Sequence, residues 1–364
     1  RMERNNIFNF ATSELSQDAF ICWYLNWLNY KDSELRDLAA DLLKAFGEES
    51  ISDNQEIIIK RQFKKVDILV VLKELNRVYI IEDKVNSSER KKQLEEYETK
   101  IKELNENEKK DLRIDKNLEV EVKTVYFKTG FHFSPDKNVK ANKIITGKRF
   151  KEILEKYRNK SEILDSYYEY LVEKLRTQEN EKDYLECKAE SHWDWNIAKS
   201  NIAQYCFLKE MFSEERVKSF KNKGNGPVVS QYNLLEKEII SYGETGETFR
   251  IFWRVDTLTE GTYLRLSYYY IFKNRKDNKT LNYKEISEIG YNIVHKKIYD
   301  IIEEYQNELP KIYKIKKCNY KEQNEIPILH INLKECIKSG KDEMNKLMNE
   351  VKKLHGYLQN ENFE

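Results

Sequence analysis

The chain has 364 residues, which is enough for two domains or for one large domain with a sizeable core. Charged residues make up 35% of it but the formal net charge is only +1, so a uniformly basic surface is excluded and nucleic-acid contacts would have to come from a local cluster. The five cysteines are scattered, and no run of eighteen apolar residues occurs, so the sequence indicates no zinc site, disulfide framework or membrane span and favours the cytoplasm.

The N-terminal region predicts two helices, each buried on one side. Apolar residues recur at i, i+3, i+4 and i+7 over residues 16–30, with the first residue, Ser16, as N-cap. A second apolar stripe over residues 35–46 ends at Gly47, which is typical of a helix C-cap.

A β-hairpin follows. Residues 65–72 and 78–85 are apolar, β-branched runs separated by a polar stretch, which predicts two antiparallel strands. Because a strand alternates its faces with period two, Glu82 and Lys84 lie on one face and Asp83 on the other.

The register of this hairpin decides whether Asp67 joins them. If Leu72 pairs with Arg77 across a four-residue loop, Asp67 lies opposite Glu82 on the same face, and we predict this register; a slip of one residue would turn Asp67 away. The charges of two acids and a lysine in such apolar strands need a partner, because burying an unpaired charge costs several kcal/mol or more of free energy. A divalent cation would be such a partner.

Further elements complete a small mixed sheet flanked by helices. They are a strand at residues 56–63, a helix at residues 87–104 that passes into an exposed charged extension to residue 115, a strand at residues 123–128, and a helix at residues 146–157 capped by Thr146.

The second half predicts an α+β unit. Its expected elements are helices at residues 161–181, 284–308 and 334–358, strands at residues 248–255, 263–272 and 326–332, and a loop at residues 221–227. We therefore expect a core domain, residues 1–180, and a C-terminal domain, residues 181–364, that binds substrate or a partner. The aromatic residues 191–195 and 268–270 could stack bases, but they lack an adjacent basic stripe and core packing is favoured.

Four basic residues precede Asp67. Lys60, Arg61, Lys64 and Lys65 could hold a nucleic-acid backbone at the entrance to a site, or could simply form a solvated hairpin end. The sequence leaves both interpretations open.

Asp67 is an acid at the start of one strand, and the triplet ending at Lys84 is an acid-x-lysine on the next. This pattern resembles the signature of the PD-(D/E)XK nuclease superfamily. The resemblance extends to an acid at the first helix, Glu14, and to the glutamine and tyrosine that follow the lysine strand, Gln93 and Tyr97. It covers roughly the first half of the chain, although Val66 stands where the signature has proline.

This resemblance implies a mixed α/β fold with a restriction-endonuclease-like core and a metal-dependent endonuclease activity. Mg²⁺ or Mn²⁺ would be held by Asp67, Glu82 and the backbone carbonyl of Asp83, with Glu14 as a further ligand. Lys84 would orient the attacking water and stabilise charge on the phosphate.

Gln93 and Tyr97 lie four residues apart, so both can face the sheet from one side of a helix. Gln93 is the better candidate for a catalytic role because it would be polar on an inward face. Tyr97 is a candidate nucleic-acid contact, although a tyrosine at such a position is more often part of the core.

Several alternatives stay open. Glu82 and Lys84 could be a solvated ion pair on a hairpin edge. DNA is favoured over RNA because it is the usual substrate of the family. The competing functions are an RNA-cleaving toxin or defence effector on the same scaffold, and a catalytically silent nucleic-acid-binding module. The C-terminal domain could mediate a homodimer or bind another protein.

Overall fold

The structure is a computed structural model that describes residues 5–49, 51–87, 92–182, 200–212, 216–221, 228–233, 240–242, 247–258, 261–271, 283–315, 318, 325–361 and 363. The chain divides into two compact units, Arg1–Gln178 and Glu179–Glu364. Within the described ranges, no helix is both long enough and apolar enough to cross a membrane.

The first unit is built on a mixed five-stranded sheet, which confirms the predicted fold class. Its strands follow the chain in order across the sheet, antiparallel from the first to the third and parallel from the third to the fifth. They are β1 (Ile57–Phe63), β2 (Val66–Leu72), β3 (Arg77–Lys84), β4 (Glu121–Lys128) and β5 (Lys143–Thr146).

Six helices of this unit are described: α1 (Glu14–Asn26), α2 (Arg36–Ala45), α3 (Gln93–Lys102), α4 (Glu106–Asp111), α5 (Gly147–Glu155) and α6 (Glu162–Lys182). Apolar residues of α1, α2, α5 and α6 form one core cluster with Ile68 and Ile81 of the sheet. Residues of α3 form a second cluster with Leu69 and Ile80. The alternation of the central strands therefore fills a core on each face.

The N-cap of the first helix lies three residues earlier than predicted. Ser13, with an extended backbone, is the N-cap, and its hydroxyl oxygen accepts a hydrogen bond from the Ser16 backbone N–H at 3.3 Å. This places Glu14 in the first turn, where its charge is favourable towards the helix dipole. The helix ends at Asn26, and a 3₁₀ turn, Trp27–Asn29, replaces the rest of the predicted span.

The charged stretch after α3 was expected to be an exposed extension, which holds for most of its charged side chains but not for its apolar residues. It contains α4, whose N-cap Asn105 forms a reciprocal capping box with Glu108. Leu112 and Ile114 after this helix are buried in the α3 cluster. Two isolated apolar residues in a charged run are too few to show a periodic pattern, so sequence alone did not reveal their burial.

The two other helix caps predicted in this unit are confirmed. Gly47 follows α2 with φ of 99°, the left-handed region that favours glycine, and Thr146 accepts a hydrogen bond from the Arg149 backbone N–H at 3.2 Å. Strand β5 was missed because its four residues are too short a run for an alternating pattern.

The second unit contains an antiparallel sheet of six described strands in the order β11-β10-β9-β7-β6, with β8 paired to β9. They are β6 (Val217–Lys221), β7 (Val228–Asn233), β8 (Ile240–Tyr242), β9 (Glu247–Leu258), β10 (Gly261–Ile271) and β11 (Glu325–Asn332). The last three match the strands predicted here, whereas β6 to β8 were not predicted.

The described helices of this unit are α7 (Asn201–Met211), α8 (Tyr283–Gly290), α9 (Lys296–Glu304), α10 (Pro310–Tyr313), α11 (Leu333–Lys338) and α12 (Lys341–Asn360). A π-helical turn, Tyr291–His295, joins α8 to α9. Gly340, at φ of 93°, divides the predicted C-terminal helix in two, because a left-handed residue cannot continue a right-handed helix.

Two predicted segments lie outside the described residues. They are the aromatic segment at residues 191–195 and the loop at residues 221–227, of which only residue 221, the end of β6, is described. Of the other aromatic group, Tyr268 and Tyr270 are buried and Tyr269 is half-buried.

Candidate active site

The register of the β2–β3 hairpin is the predicted one. Leu72 pairs with Arg77 and Ile68 with Ile81, so the next positions along the ladder are Asp67 and Glu82. Residues directly opposite each other in an antiparallel pair share a face. The two acids therefore lie on the same side of the sheet.

Asn76 explains why the connecting loop holds this register. It adopts the left-handed conformation with φ of 47°, which asparagine tolerates better than most residues. Its side-chain amide donates to the carbonyls of Leu118 and Glu119 at 3.3 and 3.1 Å, and its oxygen accepts from the Asp115 N–H at 2.9 Å. The turn is thus fastened to the segment that leads into β4.

The signature residues meet at the end of this hairpin. The Lys84 Nζ lies 2.5 Å from Glu82 Oε1 and 3.3 Å from Asp67 Oδ2, and it donates to the Asp83 carbonyl at 3.0 Å. The Asp83 backbone N–H donates to Asp67 Oδ2 at 3.1 Å. A single ammonium group therefore contacts three of the four oxygen groups that the resemblance implied as metal ligands, all except Glu14.

Burial sets the electrostatics of this cluster. Glu82 is fully buried, and burial, with the nearby Asp67 charge adding to it and Lys84 opposing it, raises its pKa to about 8. Burial acts to lower the pKa of Lys84, but the charges of Glu82 and Asp67 outweigh it and the pKa is raised above its ordinary value. Lys84 is therefore a permanent cation here. The reading of these residues as a solvated ion pair is excluded by their burial.

The donor set fits a divalent cation. Neither carboxylate oxygen of Glu82 accepts a well-formed hydrogen bond from the described residues, although both are buried. Within the described part of the chain, no group of three or more histidine, cysteine, aspartate or glutamate side chains is arranged to hold a metal. Two carboxylates and a carbonyl match Mg²⁺, which keeps several waters and needs one or two protein carboxylates.

Glu14 reaches the same end of the sheet from α1. Its Oε1 accepts from the Val85 backbone N–H at 3.3 Å and from the Ser87 hydroxyl at 2.5 Å. It thus holds the segment that follows Lys84, and its charge acts to raise the pKa of that lysine.

Gln93 and Tyr97 face each other on α3. The Gln93 amide donates to the Tyr97 hydroxyl oxygen at 2.8 Å. The Tyr97 ring is buried in the cluster on the Glu82 side of the sheet, and burial raises its pKa, with the charges of Glu82 and Asp67 adding to the effect. Its ring belongs to the core, while its hydroxyl is close enough to the carboxylates to feel their charge.

Two of the four predicted basic residues are engaged by the protein itself. The Arg61 guanidinium donates to the Leu15 carbonyl at 3.2 Å and lies 4.0 Å from Asp18 Oδ2. Lys64 forms an ion pair with Glu108 at 2.7 Å. These two side chains are tied to α1 and α4 respectively.

The other two basic residues are exposed. Lys60 pairs across the ladder with Leu69, whose side chain packs on the Glu82 side of the sheet. Lys65 and its neighbour Lys64 form the β1–β2 turn with φ of 75° and 50°. The four residues are thus distributed over both faces and the tip of one hairpin.

A polar network behind the site was not predicted from the sequence. The Asp83 side chain is buried and accepts from the Gln17 amide at 2.6 Å, and burial raises the pKa of its neighbour Asp18 to about 6. The Gln17 oxygen accepts from the hydroxyls of Thr129 and Tyr167, each at 2.7 Å. The available signal was the pair of polar residues within the buried stripe of α1.

A second lysine near the site was not predicted from the sequence either. Lys128 pairs with Lys84 in the parallel β3–β4 ladder, and its ammonium contacts Asp136 at 2.6 Å with both side chains fully buried. A lysine that ends an apolar strand is a weak signal, since such residues are usually solvated.

Comparison with known proteins supports the interpretation of this unit. A family model described as the PD-(D/E)XK nuclease superfamily matches residues 5–187, while no curated protein and no solved structure matches. The matched span is half of the chain and contains the whole five-stranded sheet with Asp67, Glu82 and Lys84. The chain therefore belongs to the PD-(D/E)XK nuclease superfamily, whose substrates are nucleic acids.

Proposed function

We propose that the protein is a divalent-cation-dependent endonuclease that hydrolyses phosphodiester bonds in DNA. The observation that supports this is the cluster at the end of the hairpin, where Lys84 contacts Asp67, Glu82 and the Asp83 carbonyl within 3.3 Å. DNA is proposed as the substrate because it is the usual substrate of the superfamily.

Asp67, Glu82 and the Asp83 carbonyl would hold Mg²⁺ or Mn²⁺, with Glu14 as a further ligand. The buried Glu82 oxygens support this assignment, because Oε1 has only the Lys84 ammonium beside it and Oε2 accepts no hydrogen bond from the described residues. A bound divalent cation would supply a Lewis acid that neutralises charge on the scissile phosphate. A cation would also compete with the proton that the raised pKa of Glu82 favours near neutral pH.

Lys84 contributes positive charge. Because its pKa is raised, it acts as a cation and not as a general base. In the structure its three N–H donors are directed at Glu82, Asp67 and the Asp83 carbonyl. If these oxygens bound a cation, the donors would be free to orient the attacking water through the water oxygen and to stabilise the negative charge that develops on the phosphate.

The remaining candidates would serve binding. Gln93, tied to Tyr97, would orient a polar group of the substrate at the edge of the site. Lys60, Arg61, Lys64 and Lys65 would bind backbone phosphates, which give affinity without sequence information.

We further propose that residues 1–180 form the nuclease domain, that residues 181–364 select substrate or a partner, and that the protein works in the cytoplasm. Scattered cysteines without a paired motif support the last point.

A cleavage assay tests the function. Plasmid, single-stranded DNA and RNA are incubated with Mg²⁺, Mn²⁺ or EDTA, using the parent protein, Glu82→Gln and the control Lys73→Ala, which changes an exposed lysine at the far end of the same hairpin. We expect cation-dependent cleavage of DNA that Glu82→Gln abolishes and Lys73→Ala retains. Cleavage of RNA alone would favour the toxin or effector alternative, and binding without cleavage would favour the silent module.

A further inference from the structure

Lys128 is a buried lysine directly beside the signature lysine. It ends β4 opposite Lys84 in the parallel ladder, and its side chain is fully buried. Burial lowers its pKa, with the charge of Lys84 adding to this effect, while the charges of Asp136 and Glu14 oppose it. Two ammonium groups on adjacent strands are costly to bury, so a compensating arrangement is required.

Asp136 provides this compensation. Its Oδ2 lies 2.6 Å from the Lys128 Nζ and accepts from the Phe133 N–H at 2.9 Å, and its Oδ1 accepts from the Tyr126 hydroxyl at 2.6 Å. Hydrogen bonds on both oxygens fix the orientation of the carboxylate. The position of the Lys128 ammonium is therefore also fixed.

The same ammonium reaches the segment after β3. Lys128 Nζ donates to the Ser87 carbonyl at 2.8 Å, and the Ser87 hydroxyl donates to Glu14 Oε1 at 2.5 Å. A continuous series of short polar contacts thus runs from Asp136 through Lys128 and Ser87 to Glu14.

The backbones on either side of this series are packed together. The Thr129 N–H donates to the Lys84 carbonyl at 3.2 Å. At Gly130, an added Cβ would lie 1.6 Å from the Val85 carbonyl oxygen, so only glycine fits there. The segment after β4 therefore lies directly against the segment that Glu14 holds.

A purely structural ion pair does not explain this arrangement. Replacing a buried ion pair by apolar residues is often neutral or stabilising, so stability alone gives little reason to bury Lys128 and Asp136. The contact between Lys128 and the Ser87 carbonyl, by contrast, has a direct consequence for the acid of α1.

We propose that Lys128 is a positioning residue of the active site, whose ammonium, held by Asp136, fixes the Ser87 segment and thereby directs Glu14 towards the cation-binding carboxylates. This inference rests on the proposed function, because it assigns Glu14 to the cation site. It identifies the loop after β4 as part of the machinery that sets cation affinity.

The test is a double-mutant cycle on the full chain, read out as the melting-temperature shift induced by Mn²⁺ or Mg²⁺. The variants are Glu14→Gln, Lys128→Met and both together. We expect Lys128→Met to weaken cation affinity by roughly tenfold or more, as is typical for residues that orient metal ligands. Because both changes act through Glu14, the double variant should lose no more affinity than Glu14→Gln alone.

Controls separate positioning from folding. Lys128→Met leaves the Asp136 carboxylate buried without its ammonium partner. The double variant Lys128→Met with Asp136→Asn removes both charges, so its melting temperature should be closer to that of the parent. The weakened response to Mn²⁺ or Mg²⁺ should remain. Lys123→Met, a change on the same strand at a lysine paired with Glu121, should leave the response unchanged. In the cleavage assay, the Mg²⁺ concentration for half-maximal rate should rise for the Lys128 variants.

Additive losses of cation affinity in the cycle would overturn the inference. So would a cation response that depends on Glu14 but is unchanged in both Lys128 variants. The proposed function would survive either result. A response that Glu14→Gln leaves intact would also overturn it. A parent protein with neither a cation response nor cleavage would instead overturn the proposed function, and this inference with it.

Discussion

Glu82 is held in a setting where a proton and a cation compete for the same carboxylate. It is fully buried, its pKa is raised to about 8, and its one close cation among the described contacts is Lys84. Such a group stabilises the folded protein when it is protonated or bound to a cation, and destabilises it when it is bare.

This predicts how stability without a divalent cation depends on pH. The folded-state pKa of Glu82 is raised from 4.5 to about 8, so its contribution is fully present below pH 4.5 and is lost as pH rises through 8. Melting temperatures measured in EDTA between pH 6 and 8 should fall with rising pH, and Glu82→Gln should flatten that slope. Asp18, raised to about 6, acts in the same direction at lower pH. An unchanged slope in Glu82→Gln would show that Glu82 is not the group that titrates.

Lys84 allows chemistry to be separated from cation binding. Lys84→Ala removes the charge proposed to act on water and phosphate, so cleavage should fall by roughly a hundredfold or more. The cation-induced rise in melting temperature should be at least as large as in the parent, because Asp67 and Glu82 lose the ammonium that offsets their repulsion. Parent-like cleavage by this variant would show that Lys84 is not the catalytic lysine.

At the scale of elements, the β2–β3 hairpin decides whether the site exists. A slip of one residue would move Asp67 to the opposite face from Glu82. The turn prevents it through Asn76, whose left-handed backbone closes the loop while its side chain bonds to the segment before β4.

Substitutions at Asn76 should separate these two contributions. Asn76→Gly keeps the left-handed backbone but loses the side-chain hydrogen bonds, whereas Asn76→Ala loses both. We expect Asn76→Ala to lower the free energy of unfolding by roughly 2 to 4 kcal/mol, and Asn76→Gly by about 1 kcal/mol less. Urea denaturation at fixed pH measures both. Equal losses would show that backbone conformation contributes nothing at this turn.

At the scale of the whole molecule, the two units contain buried titratable groups whose contributions to stability change in opposite directions with pH. The first contains acids with raised pKa values, while the second contains His295 and His355, both buried. Burial lowers the pKa of each histidine from 6.5 to about 4, and the charge of Arg216 adds to the effect at His355.

The histidines predict a loss of stability in acid. The unfolded chain binds protons at these residues below pH 6.5 while the folded protein resists them until about pH 4, so stability is full above 6.5 and falls as pH drops to 4. The loss should be on the order of 2 to 3 kcal/mol for each histidine. In denaturant unfolding of His295→Phe between pH 4 and 7, the free energy of unfolding should fall less steeply with decreasing pH than in the parent. A fall as steep as the parent's would contradict the assignment.

The elements that could be predicted from the sequence are those whose residue patterns act over short stretches of the chain. The alternation in β2 and β3 and the length of their loop predicted the register, and with it the meeting of Asp67, Glu82 and Lys84. These features are local, since strand period and turn length act over a few residues. The stripes of α1 and α2 were found for the same reason, although the exact start of α1 depended on the cap at Ser13.

The sequence by itself therefore determined the mixed α/β core, the hairpin and the signature residues on one face. Only the tertiary structure decided what surrounds them, because those contacts join segments that are far apart in the chain. Gln17 meets Asp83 across 66 positions and Glu14 meets Ser87 across 73. No local period encodes such pairs; they arise when distant elements pack and their buried polar groups have to find partners. The Lys128 series belongs to the same class, which is why it became visible only in the folded chain.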